Sequence, residues 1–400
     1  MACEQVTLQD VCELIVDCPH TSAKDEGVGY PLIRTPNVGR GRLILTDVHR
    51  VSQDVYERRV SRAVPRQGDL ILAREAPAGN VAIVSPGIEV CLGQRTMLLR
   101  PDSSFVVPEY LNYYLNAPEQ RDRMLRLANG ATVSHINVAD IRNMPVQLPS
   151  RGEQSKVAEL LNVLDDKIDL NNRLNDYLEQ LCQSLFNRFD NDENNPFVKV
   201  SDIADVNPRR TLKKGEEALC IEMADLSTTG AFPTDWRTKA YNGGVKFVNG
   251  DTILARITPC LENGKAGYIN FLEQDEVAFG STEYIVLTSK GELPSEFFYF
   301  LARNEDFISY ATAHMNGSSG RQRVSGSDVG NYEVRMPSEK QISEFRKIAG
   351  NAMRVISASS IESRKLAQLR DALLPKLMSG EIDASKVELT QLTNNHLADC

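Results

Sequence analysis

The chain is written twice, and a duplicated plan constrains what it can fold into more than any single motif does. The heptapeptide GDLILAR at 68–74 returns as GDTILAR at 250–256, matching at six of seven positions. Both read as buried strands opened by a Gly-Asp turn. Further on, PEYLNYYLN from Pro108 and PSEFFYFLA from Pro294 each place proline at a helix start, with leucine or aromatic residues along one face. Helical spacing assigns those aromatics to core packing rather than to stacking on bases. A loop then follows in each copy: NGATVSHINVADIRNMPVQLPS (129–150) aligns with NGSSGRQRVSGSDVGNYEVRMPS (316–338), pairing Asn129 with Asn316, Gly130 with Gly317, Asp140 with Asp328, Asn143 with Asn331 and Pro149 with Pro337.

Each loop runs into a helix with the same opening signature. Ser150 precedes Glu153 by three residues and Ser338 precedes Gln341 likewise, which are two capping boxes. A seam of alternating three- and four-residue steps follows: Val157, Leu161, Leu164, Ile168, Asn171, Asn175, Leu178, Cys182, Leu185, Phe189. Adding 188 to each number lands on Phe345, Ala349, Ala352, Ile356, Ser359, Ser363, Leu366, Arg370, Leu373 and Leu377. Both seams are apolar at the ends and polar in the middle, as suits two helices packed on each other with a central polar register. The spacing predicts helices over 153–189 and 340–378, each about 55 Å long, the second bent at Pro375 and stopped near Gly380.

The expected plan is a mixed α/β (α+β) protein with an internal pseudo-two-fold repeat. It comprises a first globular domain (1–150), a long helix (151–190), a linker (191–197), a second globular domain (198–338), a second long helix (339–380) and a tail (381–400). Two similar heads on paired antiparallel helices would form a calliper, a shape suited to a polymer with a repeating surface.

Charge decides which polymer. The formal net charge of −9 argues at first against nucleic acid. Its distribution argues otherwise: residues 1–150 hold 16 Lys and Arg against 17 Asp and Glu, and 15 of the 16 cations are arginine, whereas residues 151–196 hold 5 cations against 10 acids. Arginine forks onto guanine edges and phosphate oxygens. The expected DNA contacts are Arg34, Arg40, Arg42, Arg74 and Arg95 in the first head, and Arg209, Arg210, Arg237, Lys246, Arg256, Arg321 and Arg323 in the second. Arg74 and Arg256 share one repeated position at the end of a buried strand, where an arginine is costly without a partner.

Catalytic equipment is missing from the sequence. There is no GxxxxGK[ST], no helicase-like acidic box and no Asn/Asp-Pro-Pro-aromatic motif; DVNPRR at 205–210 has one proline and no aromatic. Histidines 20, 49, 135, 314 and 396 are scattered, and the eight cysteines (3, 12, 18, 91, 182, 220, 260, 400) form no CxxC pair, so no metal site is expected. Neither an apolar run of membrane-spanning length nor a secretory signal is present, which predicts a cytoplasmic protein. Three readings follow from the residues: a DNA-binding subunit whose chemistry is done by partners, a structural adaptor with duplicated protein-binding heads, and a standalone nuclease or methyltransferase.

Nearly the whole chain resembles the specificity subunits of type I restriction-modification systems. The resemblance rests on GDLILAR, GDTILAR, GSSGRQRVSGSDV, LPSRGEQSKVAELLNVLDDKIDLNNRLNDYLEQLCQSLFNRF and LAQLRDALLPKLMSGEI, in that family's order. It implies that each head enters the major groove of double-stranded DNA and reads half of an asymmetric split site, with the unread gap set by the helices. It further implies assembly with two methyltransferase subunits, which use S-adenosylmethionine, and with restriction subunits that use ATP and Mg. No cofactor would be bound by this chain, and no catalytic residue would reside in it. The first loop departs from the second, with ATVSHINV in place of SSGRQRVS.

Overall fold

A computed structural model describes residues 4–128, 135–318 and 320–387. Residues 129–134, the opening of the first loop with Asn129 and Gly130, lie outside them, as does the end of the chain from residue 388. The chain divides into two compact units, Met1–Asp166 with Ala367–Cys400, and Lys167–Leu366. The division differs from one head followed by one helix: each unit takes in part of both long helices.

In the first unit a five-stranded sheet runs in the order Cys12–Asp17, Thr96–Pro101, Leu70–Ala73, Val81–Ile83, Gly41–Arg42. Its central strand is the GDLILAR segment, and the physical reason for four consecutive apolar residues is that both faces are covered. Leu70 and Leu72 join one core with Tyr110, Leu111 and Leu161, while Ile71 and Ala73 join another with Ala82 and Leu98. A small sheet of Arg50–Val51, Tyr30–Ile33 and Cys91–Leu92 lies apart from it, and Glu4–Thr7 pairs with Pro145–Leu148.

The second unit is built on two four-stranded sheets. Thr252–Ala255, from GDTILAR, is flanked by Tyr284–Ser289 and Ala266–Tyr268, with Ala204–Val206 at the edge. Leu254 joins one core and Ile253 another. A second four-stranded sheet runs Arg237–Ala240, Glu217–Ile221, Ala278–Gly280, Val245–Phe247, and Phe197–Lys199 pairs with Glu333–Arg335. Gly68 and Gly250, which open the two central strands, both have φ +85°, the conformation a side chain would disfavour.

The proline-led segments form helices Pro108–Asn116 and Glu296–Ala302. Tyr110, Tyr113, Tyr114, Phe297, Phe298, Tyr299 and Phe300 are all buried, so none is a surface for stacking bases.

The long helices span Arg151–Asp190 and Glu339–Ser379. Both capping boxes form: Ser150 N–H donates to Glu153 at 2.9 Å, and Ser338 N–H to Gln341 at 2.8 Å. The second helix continues through Pro375, and Gly380 follows it at φ +75°. In the first unit Val157, Leu161, Leu164 and Leu377 are buried and Leu373 packs partly buried against the same core. In the second unit Phe345, Ile356 and Leu366 are buried, Leu178 and Leu185 pack on the core's margin, and Ile168 is half-buried. The polar middle of the seam is satisfied across the two helices: Asn171 Nδ2 donates to Glu362 at 2.7 Å and to Ser363 Oγ at 3.2 Å, and Ser359 Oγ donates to Asn175 Oδ1 at 2.5 Å. Asn171→Ala is expected to destabilise the second unit by about 1–2 kcal/mol, read as a lower urea midpoint at unchanged m-value.

Two boundaries shift from the sequence expectation. Phe197, placed in the linker, begins a strand. Residues 382–387 do not form a free tail: Ala384 is buried, and Ile382 and Val387 pack on the first unit's core.

Candidate nucleic-acid interface

The Gly-Asp turn that opens each central strand buries its carboxylate. Asp69 and Asp251 each accept their turn's N–H, from Arg66 and Val248, at 2.8 Å. Each also binds an arginine from elsewhere in its unit. Arg100 donates to Asp69 through Nε at 2.9 Å and a terminal nitrogen at 2.8 Å. Arg210 donates to both Asp251 oxygens at 2.7 Å, and Thr288 adds its hydroxyl. Burial pushes the Asp251 carboxyl above its ordinary range, against the opposing pull of Thr288, the Val248 N–H and Arg210. Arg210 therefore has a structural partner, and Arg100, Asp69 and Asp251 were missed as its counterparts. The repeated Asp was the signal that could have found them.

At the far end of each central strand stands the repeated arginine. Arg74 is nearly enclosed and donates to Asp17 at 2.6 Å and to the Ile136 carbonyl at 2.9 Å. Arg256 is looser: its Nε is buried without a hydrogen-bond partner and lies 3.9 Å from Glu283. Glu283 is gripped by Arg323, whose Nε and terminal nitrogen reach it at 2.7–3.0 Å. Those bonds, with the charges of Arg323 and Arg256, hold the Glu283 carboxyl below the usual range.

Arg209, Arg210, Lys246 and Arg256 come together around an open groove of about 550 Å³ in the second unit. Lys246 donates to the Arg210 carbonyl at 3.1 Å and sits over the Tyr241 ring at 5.0 Å. The groove wall needs glycine at 244: φ is +111°, and a Cβ there would meet the Gly280 carbonyl oxygen at 2.0 Å. Arg209 and Arg321 are exposed, and among the described residues their side chains make no hydrogen bond or ion pair, although the Arg321 carbonyl accepts from Arg323 at 2.9 Å. Arg237 lies away from the groove lining, between Asp225 and Asp235.

In the first unit the expected residues are less gathered. Arg95 pairs with Glu75 at 2.8 Å beside Arg74. Arg34 packs against Gly93, where a Cβ would meet its Cγ at 2.8 Å, and its Nε has no partner. Arg42 reaches Asp166 on the first long helix at 2.5 Å, and Arg40 is exposed.

A second surface escaped the sequence reading. Leu170, Leu174, Tyr177 and Leu181 are 61%, 41%, 70% and 50% exposed, a four-three-four stripe along the first long helix within the second unit. It lies one residue before the seam positions Asn171, Asn175, Leu178 and Cys182, so its spacing was visible once the seam had been assigned.

Burial pushes the Cys12 and Cys182 thiols up to about 12, which leaves little thiolate at neutral pH. Among the described residues no three His, Cys, Asp or Glu side chains are grouped to hold a metal ion, and no helix is long and apolar enough to cross a membrane.

Fold and surface together define a mixed α/β protein with two arginine-bearing units and two long helices. Residues 2–180 match the family described as type I restriction modification DNA specificity domain. The chain is 21% identical to the type I restriction enzyme HindI specificity subunit of Haemophilus influenzae, covering 79% of this chain and 87% of that one. It is 22% identical to the MjaIX specificity subunit of Methanocaldococcus jannaschii, over 84% and 83% of the two chains. The crystal structure of a type I restriction-modification S subunit from M. genitalium has the same fold, with a TM-score of 0.57 at 16% identity, over 94% of this chain and 96% of that one. Along most of its length the chain is thus similar to type I restriction-modification specificity subunits, and the family model covers its first 180 residues.

Proposed function

We propose that this chain is the non-catalytic DNA-recognition subunit of a type I restriction-modification complex, built as a pseudo-two-fold repeat. Each globular part reads one half of a bipartite site in double-stranded DNA, and the long helices set the unread gap. Two methyltransferase subunits dock on the helices and restriction subunits join them; S-adenosylmethionine, ATP and Mg serve those partners in the cytoplasm. One observation carries the reading. A chain of net charge −9 gathers Arg209, Arg210, Lys246 and Arg256 around a single open groove, where phosphate contacts would offset the repulsion of the acidic remainder. The exposed Leu170, Leu174, Tyr177 and Leu181 stripe supplies the apolar face that a partner helix needs.

The test is the chain assembled with its methyltransferase subunits. The complex is expected to methylate one bipartite sequence, and log affinity should fall with log salt at a slope of about −0.9 per phosphate neutralised. Exchanging residues 1–150 for the corresponding part of another family member should change one half-site only. Salt-independent association, or capture of proteins alone with no DNA complex, would favour an adaptor instead.

A further inference from the structure

The two repeated arginines sit in the same backbone frame but in different company. Arg74 N–H donates to the Arg95 carbonyl at 2.8 Å, and its own carbonyl accepts from Ile136 N–H at 3.1 Å. Arg256 N–H donates to the Glu283 carbonyl at 3.0 Å, and its carbonyl accepts from Val324 N–H at 3.0 Å. The next residues bridge in the same way, Glu75 with His135 and Ile257 with Arg323. Three positions therefore flank the arginine equivalently: 95 and 283, 75 and 257, 135 and 323. Arginine stays fixed at the centre, while the flanks read Arg, Glu, His in the first unit and Glu, Ile, Arg in the second.

Despite that turnover, each unit keeps one Arg–Glu ion pair beside the fixed arginine. In the first it is Arg95–Glu75 at 2.8 Å, and in the second Arg323–Glu283 at 2.7 Å. The arginines are 53% and 37% exposed and the glutamates about a quarter, so stability gives little reason to retain a pair here. Its chemistry gives a better one. A G·C pair presents two acceptors on guanine, O6 and N7, beside the N4 amino donor of cytosine in the major groove. A guanidinium fork fits the first and a carboxylate the second, so an Arg–Glu pair is the complement of one G·C pair. Without DNA the two side chains satisfy each other, which keeps a bare carboxylate from facing the phosphates.

We propose that the Arg95–Glu75 and Arg323–Glu283 pairs are the base-reading elements of the two units, each reading a G·C pair in its half-site, while Arg74 and Arg256 hold the frame. The proposal rests on the DNA-recognition reading above, and the two can fail separately. The experiment uses the chain assembled with its methyltransferase subunits, a plasmid library randomised over the target, and sequencing of methylated adenines. The wild-type complex should specify at least one G·C pair in each half-site. Glu283→Gln, close in shape, should lower discrimination at one such pair by roughly 5- to 150-fold and leave the other half-site unchanged. Glu75→Gln should do the same in the opposite half. Arg323→Lys keeps the charge but not the fork, and should relax the same base pair as Glu283→Gln. Unchanged motifs in all three variants, relaxation of both halves by one substitution, or loss of methylation at every sequence would each overturn the assignment. A wild-type complex that methylates no bipartite site would instead overturn the recognition reading itself.

Discussion

Replacing Asp251 by alanine is expected to destabilise the second unit by about 3–5 kcal/mol, the usual consequence of removing one partner from a buried ion pair. The carboxylate is fully enclosed and satisfies three donors at once: Arg210 on both oxygens, the Thr288 hydroxyl and the Val248 N–H. Alanine leaves Thr288 and Val248 without their acceptor and Arg210 with the Thr288 hydroxyl alone, at 3.0 Å. Arg210 suffers most, because its Nε already lacks a hydrogen-bond partner and its side chain is only 18% exposed. The turn also loses the contact that closes it just before the central strand Thr252–Ala255. Asp251→Asn should cost less, since it retains an acceptor for Thr288 or Val248. The measurement is urea unfolding, with a lower midpoint and an unchanged m-value. A loss for Asp251→Ala below about 1 kcal/mol would place the pair with ordinary surface bridges.

The second large effect belongs to the exposed stripe. Joint replacement of Leu174 and Tyr177 by aspartate should weaken methyltransferase docking by roughly a thousandfold, if each residue contributes the 2 kcal/mol or more typical of a central aromatic or aliphatic anchor. Tyr177 is largely solvent-exposed in the chain itself, at 70%, and Leu174 is partly so, at 41%. The substitution should therefore cost the chain's own stability only about 1–2 kcal/mol, from the lower helix propensity of aspartate and the covered part of Leu174. Co-purification and methylation should fall together while the chain stays folded with only a small drop in its urea midpoint. Undiminished co-purification would remove the stripe from the docking surface.

The long helices were legible because a periodic pattern sustained over some 40 residues has few alternatives. The central strands were legible because both their faces are covered, which writes a continuous apolar run into the sequence. Side-chain partners were far less so. Arg74 meets Asp17 and Arg210 meets Asp251, residues 57 and 41 positions apart that only the sheet register brings together. An arginine's spacing says nothing about whether a carboxylate will be waiting for it. For that reason Arg210, Arg42 and Arg323 looked like free cations, and Glu283 and Glu75 were passed over. Repetition could have helped: GDLILAR and GDTILAR carry their aspartate along with their arginine, and both turned out to anchor the unit.

The composition of the first unit bears on how the chain is made. Its core contains Leu374, Leu377 and Ala384 together with Leu70, Tyr110 and Leu161. During synthesis, everything up to Asp166 leaves the ribosome more than 200 residues before those closing side chains exist. At ordinary translation speeds that interval is about 10–40 s. Through it the nascent first unit carries an uncovered apolar seam from Val157 to Leu164, while the second unit, Lys167–Leu366, emerges as an unbroken stretch. The unit begun first is thus the last to be completed, and chaperones have their longest opportunity at the amino-terminal end of the chain.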